Sequence, residues 1–182
     1  MQILDEKILL FIQEHLRFDP ITVVMDGFTQ MGDAGIMWIA LGLVLLYFSA
    51  TRKHAIVYLL ALGGTAAVNN LMIKPLVMRP RPYDAIEGLI VLTEKLSSYS
   101  FPSGHASSSF AAAAALTVLF GKKGAWSFVP AAIIALSRPY LGMHYLSDVI
   151  CGAALGAVCG LLITKLLKPI ILKEKTHGES RN

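Results

Sequence analysis

Five stretches of this chain, 34–51, 55–74, 104–121, 125–140 and 146–167, are apolar almost throughout. A helix crosses the hydrocarbon with about 17 to 25 mostly apolar residues, so each is a candidate span. Of the 182 residues, 55% are hydrophobic and 15% charged, and mean hydropathy is +0.61, far more apolar than a soluble domain of this size. The expected fold is all-α: a polytopic transmembrane helix bundle of about five spans forming one domain over 1–182.

The N-terminal third reads differently. From Gln2 to Phe18, apolar Ile3, Leu4, Ile8, Leu9, Phe11, Ile12 and Leu16 alternate with charges at a helical period, which suits an amphipathic helix lying in the interface. The polar residues among them break the apolar core that a cleavable signal peptide needs. Residues 20–33, with Asp26, Gly27, Gly32 and Asp33, suggest a second amphipathic or re-entrant piece. The chain then divides into an interfacial segment at 1–33, a helix bundle at 34–168 and a basic cytoplasmic tail at 169–182. Cys151 and Cys159 fall eight apart in one expected helix, about 12 Å along its axis and beyond disulfide reach.

Positive charge in short loops is retained in the cytoplasm. Arg52 and Lys53, Lys122 and Lys123, and the Lys-rich tail therefore belong inside. The connections 75–103 and 138–145 then lie outside, at the extracytoplasmic face of the cell membrane.

Ionisable residues at the ends of apolar runs are functional candidates by default, and alternation of the spans carries three such groups to that outer face. Lys74 closes the second span with Arg81 and Pro82 just beyond it. Pro102, Ser103, Gly104 and His105 open the third, Arg138 closes the fourth, and His144 with Asp148 opens the fifth. Ser103 suits an N-cap, so the free N–H groups and positive dipole end of the third span face whatever binds there. Gly104 removes a side chain that would obstruct backbone approach. Arg81 and Arg138 can grip phosphate oxygens with two N–H groups each, and Lys74 adds a compact charge. Three cations with backbone donors exceed what one carboxylate uses, so a phosphoryl group is the expected ligand.

His144 and Asp148 are four apart and share a helix face, so the carboxylate can fix the tautomer that presents the other ring nitrogen as a nucleophile. His105, across the site, is placed to protonate a leaving oxygen. Protein cations can neutralise the equatorial oxygens of phosphoryl transfer, so no metal and no other cofactor is expected.

The sequence resembles the type 2 phosphatidic acid phosphatases, lipid phosphatases that share a catalytic cradle with vanadium haloperoxidases. Their three motifs stand here as Lys74-x6-Arg81-Pro82, Pro102-Ser103-Gly104-His105 and Ser137-Arg138-x5-His144-x3-Asp148. The resemblance implies His144 as nucleophile and Asp148 as its orienting partner, with His105 acting first as acid and then as base. It also implies Lys74, Arg81, Ser103, Gly104 and Arg138 as the phosphate cradle. Implied substrates are membrane lipid phosphates: undecaprenyl pyrophosphate, phosphatidylglycerol phosphate or phosphatidic acid.

Several features have plainer readings. Arg79 lies near the first motif but outside it and is expected to contact the interface or a headgroup. Gly152, Gly156 and Gly160 form a stripe that either marks a homodimer face or packs the fifth helix inside its own bundle. The expected partners are the lipid substrate and the bilayer, not nucleic acid. A phosphotransferase on the same site is the enzyme alternative. A non-catalytic lipid-phosphate carrier or scaffold is the other, and it would need the cations but not the His144/Asp148 pair opposite His105.

Overall fold

A computed structural model describes residues 2–172, and among these the protein is helical without strands. The helices are α1 (Gln2–His15), α2 (Asp19–Gly32), α3 (Ile36–Tyr47), α4 (Arg52–Ala67), α5 (Lys74–Val77), α6 (Pro82–Ala85), α7 (Gly104–Phe120), α8 (Lys122–Ala125), α9 (Phe128–Tyr140) and α10 (Leu146–Leu172). Of the basic tail, Lys173, Lys175 and Arg181 lie outside the described residues.

Three helical runs are long and apolar enough to cross a membrane: Asp19–Tyr47, Arg52–Ala85 and Leu146–Leu172. Gly104–Phe120 is a shorter apolar helix. The first run begins at Asp19, ahead of the start at residue 34 expected for the first span. Helix α3 alone has 12 residues and would reach only about 18 Å, short of the hydrocarbon thickness. Helix α2 supplies the remaining length. The two join through one tight turn, Asp33–Gly35, where Ala34 and Gly35 take positive φ of 50° and 71°. Residues 20–33 are therefore the first half of a kinked span-length run rather than a separate re-entrant piece.

Helix α7 is the central post. Ala106, Ala111, Ala112, Ala113 and Ala115 are fully buried, with α4, α9 and α10 packed around them. Its closest neighbour is α10, and the glycine stripe explains why. A Cβ on Gly152, Gly156 or Gly160 would stand 2.6, 2.1 or 2.5 Å from the carbonyl oxygen of Ser103, Ser107 or Ala111. Small residues four apart on one helix meet small residues four apart on the other, so the backbones touch. The stripe thus packs the last helix inside its own bundle, the second of its two readings. The same register places the start of α10 beside the start of α7, where the Ser103 N–H donates to the Asp148 carbonyl at 3.1 Å.

Two buried hydrogen bonds tie α3 to its neighbours in this core. Trp38 Nε1 donates to Ser109 Oγ at 2.8 Å, and the Tyr58 hydroxyl donates to the Trp38 carbonyl at 2.9 Å. Helix α1 is docked, not free. Arg17 donates to the carbonyls of Tyr140 and Ile90 at 2.8 and 2.7 Å, and the Gln13 side chain accepts from the Ile90 N–H at 2.7 Å.

Candidate active site

All three predicted groups meet at one end of the bundle. The first arrives through an irregular connection after α4. Pro75 cannot donate a backbone hydrogen bond, and the turn before it widens to a π-helical one over Val68–Ile73, with the Lys74 N–H reaching back five residues to the Asn69 carbonyl. Met78 then takes a positive φ of 47° and redirects the chain into Arg79-Pro80-Arg81-Pro82. Lys74 is half-buried and within electrostatic reach of Arg81, Arg138 and Asp148.

Arg81 is buried, and its guanidinium is aimed by the loop before α7. Nε donates to the Ser98 carbonyl at 2.8 Å, Nη2 to Ser98 Oγ at 3.0 Å and Nη1 to the Met143 carbonyl at 3.0 Å. Nη1 also lies 3.3 Å from His144 Nε2, so cation and imidazole face the same space. Ser103 caps α7, its hydroxyl accepting from the Ala106 N–H. Gly104 leaves the approach open: a Cβ there would have only Asn69 Nδ2 nearby, at 3.9 Å. Arg138 is 2% exposed and donates through Nη1 to Thr29 Oγ1. Its Nε has no hydrogen-bond partner among the described residues. A buried donor without a partner is costly, and a ligand oxygen would relieve it.

The nucleophile candidate sits in the turn between α9 and α10. His144 is 2% exposed. Its Nδ1 faces Asp148 Oδ2 at 3.5 Å and Ser100 Oγ at 3.3 Å, while Nε2 faces Arg81. Burial, together with the nearby Arg138 and Arg81, outweighs the attraction of Asp148 and pushes the His144 imidazole down to about 3, so it is neutral at physiological pH. Asp148 is fully buried and its two oxygens have separate partners: Oδ2 accepts from Ser100 Oγ at 2.5 Å and from the Tyr145 N–H at 3.1 Å, and Oδ1 accepts from Arg79 at 2.5 Å.

His105 opens α7 on the other side. Its Nε2 lies 2.9 Å from Asp33 Oδ1 and 3.2 Å from the Thr29 carbonyl. Two cavities meet at its ring. One, of about 560 Å³, is polar, lined by Gln30, Asp33, Glu94, His105 and Arg138. The other, about 200 Å³, runs past Gly35, Ala66, Gly104 and Ser108, and the last of these also lines an apolar cavity of about 270 Å³ with Ile39, Leu59 and Leu62. The path thus leads from Arg138 and His105 into the apolar flank between α3, α4 and α7.

Sequence reasoning missed five neighbours of the site. Ser98, Ser100, Thr29 and Asp33 carried no signal, because each lies outside any recognisable spacing to its partner. Arg79 is the clearest correction. Instead of meeting the interface or a headgroup, it is bonded to Asp148, Ser147 and Asp5.

Helices of membrane-crossing length around a cluster of three cations, two histidines and an aspartate define an integral membrane protein with a cationic cluster at one end of its bundle. Residues 54–171 match the family described as the PAP2 superfamily, and the chain belongs to that family. It is 31% identical over 133 residues to an undecaprenyl-diphosphatase of Sulfolobus acidocaldarius, covering 71% of this chain and 63% of that protein's length. It is 35% identical over 139 residues to a decaprenylphosphoryl-5-phosphoribose phosphatase of Mycobacterium tuberculosis, covering 75% of each. Among solved structures, LpxE of Aquifex aeolicus superposes with a TM-score of 0.75 at 26% identity, covering 87% of this chain and 93% of that one. A PAP2-type phosphatidylglycerolphosphate phosphatase of Bacillus subtilis gives 0.73 at 26% identity, covering 97% and 89%.

Proposed function

We propose that this membrane lipid phosphatase of the PAP2 type hydrolyses a phosphate monoester or diphosphate on a membrane lipid through a phosphohistidine at His144. The observation that carries the reading is the orientation of that ring. Nδ1 faces Asp148 and Nε2 faces Arg81, in a buried turn where the imidazole is neutral. With the Nδ1 proton shared toward Asp148, the Nε2 lone pair attacks the terminal phosphorus and its bond to the leaving oxygen breaks, that oxygen belonging to the lipid alcohol in a monoester and to the inner phosphate in a diphosphate. His105 gives its proton to the departing oxygen. Water then attacks phosphorus and gives a proton to His105, and the N–P bond breaks to free His144 and inorganic phosphate. Lys74, Arg81 and Arg138 with the α7 N-terminus supply the positive potential for the transferring group, work a metal ion does in other phosphoryl-transfer enzymes.

The apolar path past Gly35, Ala66 and Ser108 would take the first part of the lipid chain, with the headgroup in the polar cavity by Gln30 and Glu94. The Sulfolobus and Mycobacterium relatives are named for polyprenyl-linked phosphates, which makes these the first substrates to try. Purified protein given a panel of polyprenyl diphosphate, polyprenyl phosphate, phosphatidylglycerol phosphate and phosphatidic acid, with no metal added, tests the reading by inorganic phosphate release. Release from at least one lipid supports it. Binding without release from any would return the carrier reading.

A further inference from the structure

Amphipathic α1 is turned the unexpected way round. Its fully interior positions are Asp5 and Leu9, one turn apart, while Ile3, Leu4 and Phe11 are 72%, 62% and 54% exposed. A carboxylate from an interfacial helix is thus buried in the protein at 3% exposure, and its partners lead straight to the site. Asp5 Oδ1 accepts from the Ser147 N–H at 3.0 Å, and Oδ2 accepts from Ser147 Oγ at 2.5 Å and from Arg79 Nη2 at 2.9 Å. Arg79 Nη1 in turn donates to Ser147 Oγ at 2.8 Å and to Asp148 Oδ1 at 2.5 Å, while its guanidinium lies 3.8 Å from the centre of the Tyr145 ring.

We propose that α1 belongs to the catalytic apparatus: Asp5 and Arg79 are positioning residues that fix the Asp148 carboxylate, and through it the His144 ring. The assignment rests on His144 being the nucleophile. Asp148 turns Oδ2 toward His144, Ser100 and Tyr145 and Oδ1 toward Arg79, so without Arg79 the carboxylate is held at one oxygen instead of two. Arg79 is itself held at two ends. Asp5 is the second end, and it also clamps the first turn of α10 through Ser147. The burial of a charge on this helix face, where a leucine would pack at lower cost, is explained by that coupling. Among the described residues, neither the Asp5 nor the Arg79 side chain is hydrogen-bonded to the cradle of Lys74, Arg81, Ser103, Gly104 and Arg138. Their loss should therefore impair turnover while leaving anion binding intact.

The experiment compares full-length wild type, Asp5→Asn, Asp5→Glu and Arg79→Gln in lipid phosphate hydrolysis, vanadate binding by calorimetry, and amide hydrogen exchange. Misplacement of a reacting group costs about 10- to 100-fold, so Asp5→Asn and Arg79→Gln should lose that much kcat with KM and vanadate affinity within about twofold. Asp5→Glu, which keeps the charge, should recover part of the loss. Amide protection at Tyr145 and Ser147 should fall in Asp5→Asn. An unchanged kcat in both neutral variants overturns the proposal, as does a parallel loss of vanadate binding, which would mean that α1 holds the whole site together rather than one carboxylate. Should the wild type release no phosphate, the reading of the site fails separately, and the positioning role is then decided by exchange alone: unchanged protection at Tyr145 and Ser147 overturns it.

Discussion

His105 Nε2 lies 2.9 Å from Asp33 Oδ1, so the histidine that opens α7 is met by the kink between α2 and α3. The preceding residue makes room for this. A Cβ on Gly32 would stand 2.6 Å from both His105 Cδ2 and Ile134 Cγ2. The ring therefore depends on a glycine in a segment that the sequence pattern alone assigns to the interface.

Gly32→Val should push His105 out of place and act as a partial His105→Ala. His105→Ala should slow lipid phosphate hydrolysis by about 100-fold and Gly32→Val by less, because a poor leaving group needs its acid. An activated aryl phosphate does not. Rapid-quench measurement should still show a burst of aryl alcohol in both variants, whereas equal loss of burst and lipid turnover would remove His105 from the acid role.

Vanadate adopts the trigonal bipyramid of the transferring phosphoryl group, and the cradle presents donors to its equatorial oxygens. It should inhibit competitively, and Arg138→Ala, which removes a guanidinium whose Nε lacks a partner, should weaken that inhibition more than it raises KM. Inhibition curves for wild type and variant against one lipid substrate check this.

The His144 imidazole is lowered by burial to about 3, against about 6.5 in an unfolded chain. Between those values the unfolded state binds the extra proton, so folding stability falls as pH drops from about 6.5 toward 3, by at most about 1.4 kcal/mol per pH unit from this group. Asp5 adds to the same trend at lower pH. Burial raises its carboxyl, but its bonds to Arg79 and Ser147 outweigh that and leave it lowered, so its contribution is lost as pH falls through the carboxylate range. Thermal melts in detergent should show a flatter acid slope for His144→Ala than for wild type.

How much of this was legible in the chain follows from the kind of spacing involved. His144 and Asp148 are one helical turn apart, and Ser103 to His105 are consecutive, so local periodicity brings them together before any fold is known. Their convergence with Lys74 and Arg138 needed only alternation of apolar runs. Asp5 and Arg79 are 74 residues from each other, and Asp33 and His105 are 72 apart. No short-range pattern links such pairs. Asp5 in particular reads as one more charge on the wet face of an amphipathic helix, and only the docking of α1, held by Gln13 and Arg17, buries it beside Leu9 while Lys7 and Glu14 stay exposed. The glycine stripe was ambiguous for the same reason: its partner carbonyls on α7 belong to serine and alanine, which announce no helix contact by themselves.

Sidedness rests on the loop charges alone. Retention of Arg52, Lys53, Lys122 and Lys123 in the cytoplasm would turn the site end of the bundle outward. In a background lacking Cys151 and Cys159, a cysteine replacing the exposed Glu87 should react with an impermeant thiol reagent in intact cells, and one replacing the exposed Lys123 only after permeabilisation. The reverse pattern would put the substrate pool in the cytoplasmic leaflet.

The account stands most directly on His144. In EDTA, wild-type protein with its preferred lipid phosphate should release inorganic phosphate and, when quenched during turnover, carry an acid-labile, base-stable phosphoryl label on His144. The His144→Ala variant should show neither while still binding vanadate, since Lys74, Arg81 and Arg138 remain. Phosphate release by His144→Ala at a rate near that of wild type, or a label on another residue, would contradict it.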